Sequence, residues 1–336
     1  MKSKINRVKK YLPILFVFIM GLVPVVWFWA KGNALINGVD TNFPLNPLIW
    51  FTRRFYVWNN IVNAGADFSS STAGIFFHFI QTLPFVLGFK LQSVELISLI
   101  FWFMLIVFSS FFLSRIIFPK RYLPQLLFTS FYSFNVYLFN TWENVKVTNL
   151  SLTAGIPLAL GVLILLDKGK ITRKSGFFLS IMSGIVLSGT GINPSYFLSF
   201  LLLIFIYVLG RIIAFPKTGI AVLINFLLVL STITIVNIFW IFPTLNFILK
   251  GISIEGSIDK LGFTNWVGSL SENTSLFNVF RLQGAWDWYS VDDVTGLPLY
   301  IPYALNYFYR LPFIVFSLVA PILTILSLIF RKKENN

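Results

Sequence analysis

VELISLIFWFMLIVFSSFFLS, residues Val94–Ser114, decides how the chain is read. At 1.5 Å per residue, a helix of this length crosses the roughly 30 Å hydrocarbon layer of a bilayer. A surface helix of a soluble domain carries an apolar stripe, whereas this stretch is apolar all round. Its one charge, Glu95, lies at the start, and Arg115, Lys120 and Arg121 follow its end. Basic residues at one end of a span mark the cytoplasmic side, so the stretch reads as a transmembrane helix running inward.

Similar runs lie on either side. Tyr11–Ala30, Tyr122–Phe139, Leu150–Leu166, Ser175–Gly191, Tyr196–Leu209, Thr218–Phe242 and Leu311–Phe330 bring the expected total to eight spans. The first run follows Lys2, Lys4, Arg7, Lys9 and Lys10, and reads as a retained helix rather than a cleaved signal peptide, because it is long and more spans follow. Ile75–Phe89 is shorter and broken by Pro84 and Gly88, so it is expected to be re-entrant or interfacial. The 336-residue chain is 57% hydrophobic and only 11% charged, with a mean hydropathy of +0.80. A soluble domain is about a quarter charged. The expected fold is therefore all-α: a polytopic membrane protein, one domain over 1–336, with large outer segments at 31–75 and 243–309.

Charge distribution tests this topology. The predicted inner segments hold 17 of the 26 basic residues but only Asp167 and Glu334 of the 12 acids. Were Ile75–Phe89 a full span, every later basic cluster would face outward against the positive-inside rule. The net charge of +14 is spread in short clusters between spans, which argues against nucleic acid. With no cysteine and one histidine, thiolate chemistry, disulfides and multi-histidine metal sites are excluded. No phosphate-binding glycine loop and no Ser-His-Asp set is visible. No span carries a charge at its middle, which weakens an ion-coupled transporter reading.

Attention moves to the first outer loop, Gly38-Val39-Asp40-Thr41-Asn42-Phe43-Pro44-Leu45-Asn46-Pro47, followed by Arg53-Arg54, Trp58-Asn59-Asn60 and Gly65. Asp40 is the first carboxylate in the chain. Partly desolvated at a membrane surface, it would have a raised pKa and could take a proton from a hydroxyl; it could equally cap a turn or the helix after Pro44. Arg53 and Arg54 match phosphate oxygens or else snorkel to headgroups. Trp50, Tyr56 and Trp58 suit stacking on a sugar ring or an interfacial belt. Lys146 either pairs with Glu143 or meets a phosphate. His78, alone on an apolar stretch, reads as a structural hydrogen-bonder. The aromatic segment 273–288 reads as an amphipathic surface helix carrying a further phosphate candidate, Arg281.

A basic N-terminus, one span, a long outer loop with an early acid, and then many spans together resemble GT-C glycosyltransferases. More narrowly, Asp40-Thr41 with the proline after it, Arg54, the Trp58 region, Phe131-Tyr132-Ser133-Phe134-Asn135, Gly191-Ile192-Asn193-Pro194, Phe239-Trp240-Ile241-Phe242-Pro243 and Ser275–Arg281 are similar, in that order, to the membrane domain of alpha-(1→3)-arabinofuranosyltransferases. The resemblance implies a plasma-membrane enzyme with an extracytoplasmic active face, and the eight expected spans with their basic inner loops put both termini on the cytoplasmic side. Its expected donor is a polyprenyl-phosphate sugar, with arabinofuranose the sugar that the resemblance implies, and its acceptor a cell-envelope glycan. Asp40 would be the catalytic base, and Arg53, Arg54, Lys146, Arg281, Trp58 and Asn59 would bind the donor. No cofactor is called for; a divalent cation on Asp40 stays open, with no spacing to support it. Family members continue into further spans and carbohydrate-binding modules, so the chain reads as a fragment or a reduced relative. The alternatives are a non-catalytic lipid-linked-sugar binder or flippase, and a structural membrane subunit.

Overall fold

A computed structural model describes residues 13–30, 34–36, 43–60, 65–135, 137–138, 146–251, 275–282, 294–298 and 304–329, with positions 32 and 292. Among these the protein is helical apart from one small ribbon. It forms two compact units, residues 1–134 with 141–254, and residues 135–140 with 255–336.

The first unit opens with α1 (13–21) and α2 (Val23–Ala30). Then come α3 (Pro47–Arg53), an antiparallel ribbon of β1 (Trp58–Asn59) and β2 (Ala66–Asp67), a 3-10 turn (Ser70–Gly74) and α4 (Ile75–Val86). The long helices follow: α5 (Leu91–Ile117), α6 (Tyr122–Ser133), α7 (Val147–Asp167), α8 (Arg173–Leu187), α9 (Pro194–Ala214), α10 (Gly219–Val236) and α11 (Ile238–Gly251). In the second unit are α12 (Leu276–Phe280), α13 (Ala304–Tyr309) and α14 (Leu311–Ile329).

Among the described residues, five stretches are long and apolar enough to cross a membrane: Leu91–Ile117, Val147–Asp167, Arg173–Ile192, Pro194–Ala214 and Pro216–Val236. α9 exposes Leu198, Leu202, Phe205, Ile206, Leu209 and Ile213, an apolar face that water would not tolerate at this extent. The protein is thus a helical membrane protein. α7 is the centre of the bundle: 72% of its most apolar window is buried, against 22% for α9 and 28% for the Pro216–Val236 span. It packs on α5 and α8, and α8 packs on α10. Ala159, Val162, Leu163 and Leu166 of α7 join Leu187, Phe200, Ile204, Val229 and Ile233 in the core. Small residues set the spacing, as expected where lipid supplies no hydrophobic drive between helices. A Cβ on Gly155 would stand 2.4 Å from the Leu187 side chain, and one on Gly161 2.5 Å from Phe112.

Two expected spans are divided and a third is shortened. The first run breaks at Leu22. Pro24 has no N–H and its ring crowds the preceding turn, and the chain answers with tight bonds from Leu22 to Ile19 O (3.1 Å) and Val25 to Leu22 O (2.9 Å). α6 is only 12 residues, about 18 Å of helix, and stops at Phe134 instead of continuing to Phe139. The run over Thr218–Phe242 is interrupted at Asn237. This wholly buried amide donates to Gly184 O and Ile233 O, both at 2.9 Å, and accepts from Trp240 Nε1 at 2.7 Å. α4, at 12 residues with Pro84 inside it, is as short as the sequence implied.

Candidate functional site

The first outer loop builds the site through α3. Asn46 caps the helix, its Oδ1 accepting from Ile49 N–H at 3.1 Å, and Pro47 supplies the preset φ of a first helical turn. Thr82 Oγ donates to Pro47 O at 3.1 Å and ties α3 to α4. The helix therefore ends with Trp50, Arg53 and Arg54 held over α4.

Two adjoining cavities share Trp50, Arg54 and Phe68. The outer one, about 610 Å³, is walled by Arg53, Tyr56, Trp58, Asn59 and Asn60. Trp58 and Asn59 stand there because β1 pairs with β2, Trp58 opposite Asp67 and Asn59 opposite Ala66. Gly65, at φ +121°, lets the chain turn under the Trp58 ring, where a Cβ would come within 2.3 Å of it. Asp67 is taken up locally, accepting from Ser69 N–H at 2.9 Å and Ser69 Oγ at 3.0 Å.

The inner cavity, about 260 Å³, is bordered by Ile36, Phe43, Pro44, Ser71, Phe77, His78, Gln81, Glu95, Val147 and Ile192. Its polar wall is buried. Arg54 is only 8% exposed, Glu95 2% and Gln81 4%. Arg54 donates to Ser71 O at 3.3 Å and lies 5.1 Å from the centre of the Trp50 ring, but its Nε has no hydrogen-bond partner. No carboxylate among the described residues forms an ion pair with it. Burial, helped by the neighbouring Arg53 charge, lowers its pKa to about 10. A buried cation left in this state is costly unless an anion joins it.

His78 Nδ1 meets Gln81 Oε1 at 2.9 Å. An amide oxygen only accepts, so Nδ1 carries the proton and Nε2 presents a lone pair. That Nε2 is buried and unpartnered. Burial and the Arg54 charge push the imidazole pKa down to about 3, against a smaller raising effect from Gln81, so the ring is neutral. The expectation of a purely structural histidine covers one nitrogen of two. The site thus offers a cationic donor and a neutral acceptor around one cavity, which suits a group bearing both an anionic oxygen and a hydroxyl.

Of the expected residues, Arg53, Arg54, Trp58 and Asn59 come together. Lys146 stands at the N-cap position of α7, directly before the wall residue Val147, and its side chain makes no capping bond. Asp40 and Glu143 lie outside the described residues; Ile36 and Phe43, on either side of 37–42, both border the inner cavity. Arg281 belongs to the second unit. There it is 2% exposed, donating to Ser317 Oγ at 2.6 Å and to Tyr307 O, with its guanidinium 4.9 Å from the Tyr307 ring. The helix expected over 273–288 is described only as α12, ending where Leu282 takes a φ of +63°.

Sequence reasoning passed over Glu95 and Gln81. Glu95 accepts Ile36 N–H with both oxygens, at 3.2 and 3.0 Å, and so fixes the loop before Asp40 to α5. The signal was present: an ionisable residue inside an apolar run is a functional candidate by default. Gln81 follows His78 by three residues, the spacing that places two side chains on one helix face.

A scan of family models gives no match to the chain, and neither curated proteins nor solved structures give a significant match.

Proposed function

We propose that this protein is a GT-C-type membrane glycosyltransferase that moves a sugar, arabinofuranose by resemblance, from a polyprenyl-phosphate donor to a cell-envelope glycan. The observation that carries the reading is Arg54, a buried guanidinium with no carboxylate partner among the described residues, at the junction of the two cavities. A lipid phosphate would supply the missing charge. Arg53 would meet the same group from the exposed side, and Trp50, Tyr56 and Trp58 would support the sugar or the first isoprene units. Neutral His78 would accept a hydrogen bond from a sugar hydroxyl through Nε2. The phosphate is a good leaving group, so positioning and charge stabilisation are the main demands on the protein. Asp40 is the proposed base, and the cavities would open to the extracytoplasmic face of the plasma membrane with both termini inside.

A second reading, a lipid-linked-sugar binder or flippase, is favoured by one fact. Glu95, the one carboxylate among the described residues lining the cavities, is already engaged by Ile36 N–H. Transfer of radiolabelled sugar from polyprenyl-phosphate arabinofuranose in membranes separates the two. Asp40→Asn is expected to abolish transfer at normal expression, while donor binding persists. Full transfer by Asp40→Asn overturns the enzyme assignment, and unchanged donor binding by Arg54→Gln overturns the phosphate clamp.

A further inference from the structure

A third cavity, about 630 Å³, is bordered by Ile14, Phe108, Phe111, Phe112, Arg115, Ile116, Pro119, Leu165, Lys168 and Lys170. Its place in the bundle is fixed by two helices. α5 and α7 pack along each other. Glu95 and Val147, near their N-termini, border the inner cavity of the candidate site, whereas Arg115 and Leu165, near their C-termini, border this one. The two helices therefore run parallel. α7 has 21 residues, about 30 Å of helix and one bilayer thickness, so the two cavities lie at opposite membrane faces.

The chemistry of the third cavity is that of a lipid with a negative head. Three cations, Arg115, Lys168 and Lys170, stand on an apolar floor of Phe108, Phe111, Phe112 and Ile14. None of its described lining residues is acidic. The nearest carboxylate in sequence, Asp167, is committed elsewhere: it takes Arg211 Nε at 2.6 Å and Tyr207 OH at 3.2 Å. Lys168 Nζ donates to Ile116 O at 3.4 Å, a neutral partner, and Arg115 lies over the Phe111 ring at 6.0 Å. Gly161 allows Phe112 and Ile116 to close against α7 and form the floor. Lysines that merely snorkelled would need no cavity beneath them. Here an acyl chain has a surface of exposed Phe108 and Ile14 to run along.

We propose that this cavity is a binding site for an anionic phospholipid, with the phosphate held by Arg115, Lys168 and Lys170 and an acyl chain laid on Ile14, Phe108 and Phe112. The site is independent of the sugar-transfer reading, since it shares no residue with that site and faces the other leaflet.

Purified full-length protein in detergent is titrated with dioleoyl phosphatidylglycerol, dioleoyl phosphatidylcholine or inorganic phosphate, and bound lipid is counted by native mass spectrometry. One phosphatidylglycerol is expected to bind, with little phosphatidylcholine and no effect of free phosphate. At about fivefold per charge, the triple variant R115Q/K168Q/K170Q should weaken phosphatidylglycerol binding by roughly 100-fold. The control triple R173Q/K174Q/K217Q removes three exposed charges outside the cavity and should change it by less than about tenfold. Equal losses in both triples, or equal binding of the two lipids by the unaltered protein, overturn the proposal. A photoactivatable phosphatidylglycerol on the unaltered protein gives a readout that no folding defect can blur. Crosslinks at Ile14, Phe108 or Phe112 support the site, and crosslinks only elsewhere refute it.

Discussion

Arg54→Met separates a residue kept for the fold from one kept for a ligand. Burial, with a contribution from Arg53, lowers the guanidinium to about 10 from an ordinary value near 12.5. At about 1.4 kcal/mol per pKa unit, holding the charge there costs about 3 kcal/mol. Against this stand, among the described residues, one hydrogen bond to Ser71 O and the Trp50 ring contact, each worth about 1 kcal/mol. Methionine restores most of the apolar volume without the charge. The ligand-free variant should therefore be more stable by about 1 kcal/mol, a rise of roughly 2 to 4 °C in Tm for a domain of this size. A charged hydrogen bond to phosphate contributes about 1.5–3 kcal/mol, so affinity for polyprenyl phosphate should fall by between about 10-fold and 150-fold. The assay is thermal unfolding in detergent with and without a short-chain polyprenyl phosphate. If Arg54→Met lost 2 kcal/mol or more and still gained the full phosphate-dependent stabilisation, Arg54 would be structural and the clamp would fail.

The remaining expectations concern His78, Asn237 and Glu95. The folded protein holds His78 neutral, well below its unfolded value, so the unfolded chain binds the extra proton. Stability is then fully present above about pH 6.5 and is lost as the pH falls toward 3. At pH 5 the loss is about 2 kcal/mol, and a comparison of unfolding at pH 7.5 and pH 5 should show His78→Asn shedding most of that slope. Asn237→Leu removes two donated bonds and leaves Trp240 Nε1 without its acceptor in a buried site; thermal unfolding should report a loss of about 2–4 kcal/mol. Glu95→Ala frees Ile36 N–H and should raise hydrogen–deuterium exchange at Ile36 while leaving α8 and α10 protected; uniform exchange across the bundle would count against a local latch.

The membrane class and the long helices were legible because they rest on local properties. Length, apolarity and flanking charge place Leu91–Ile117 and Val147–Asp167 without tertiary knowledge. The divided runs were less legible. Pro24 was visible in the sequence, but a kink and a break look alike in composition. Asn237 was not legible at all, since its effect depends on Gly184 O, 53 residues away. Asp167 and Arg211 sit in two segments assigned to one membrane side by charge alone, and their 2.6 Å pair places those helix ends together.

The candidate site shows where a local reading runs out. Arg53 and Arg54 are adjacent, share one helix end and share two readings in sequence: phosphate contact or snorkelling. Packing tells them apart. Arg53 is exposed, and either reading suits it. Snorkelling requires the charged head to reach water or headgroups, and Arg54 does the reverse, with an unpartnered Nε shut beneath the surface. The residues that enclose it, Ser71, His78, Gln81 and Glu95, follow it by 17 to 41 positions, so no window around Arg54 contains the information. What a sequence offers there is a set of polar residues misplaced in apolar runs: Glu95 in α5, and His78 and Gln81 in α4. Each alone has a bland explanation. Their convergence on one cavity, with a cation that no described carboxylate pairs, does not, and an anionic ligand bearing hydroxyl groups satisfies the guanidinium and the imidazole together.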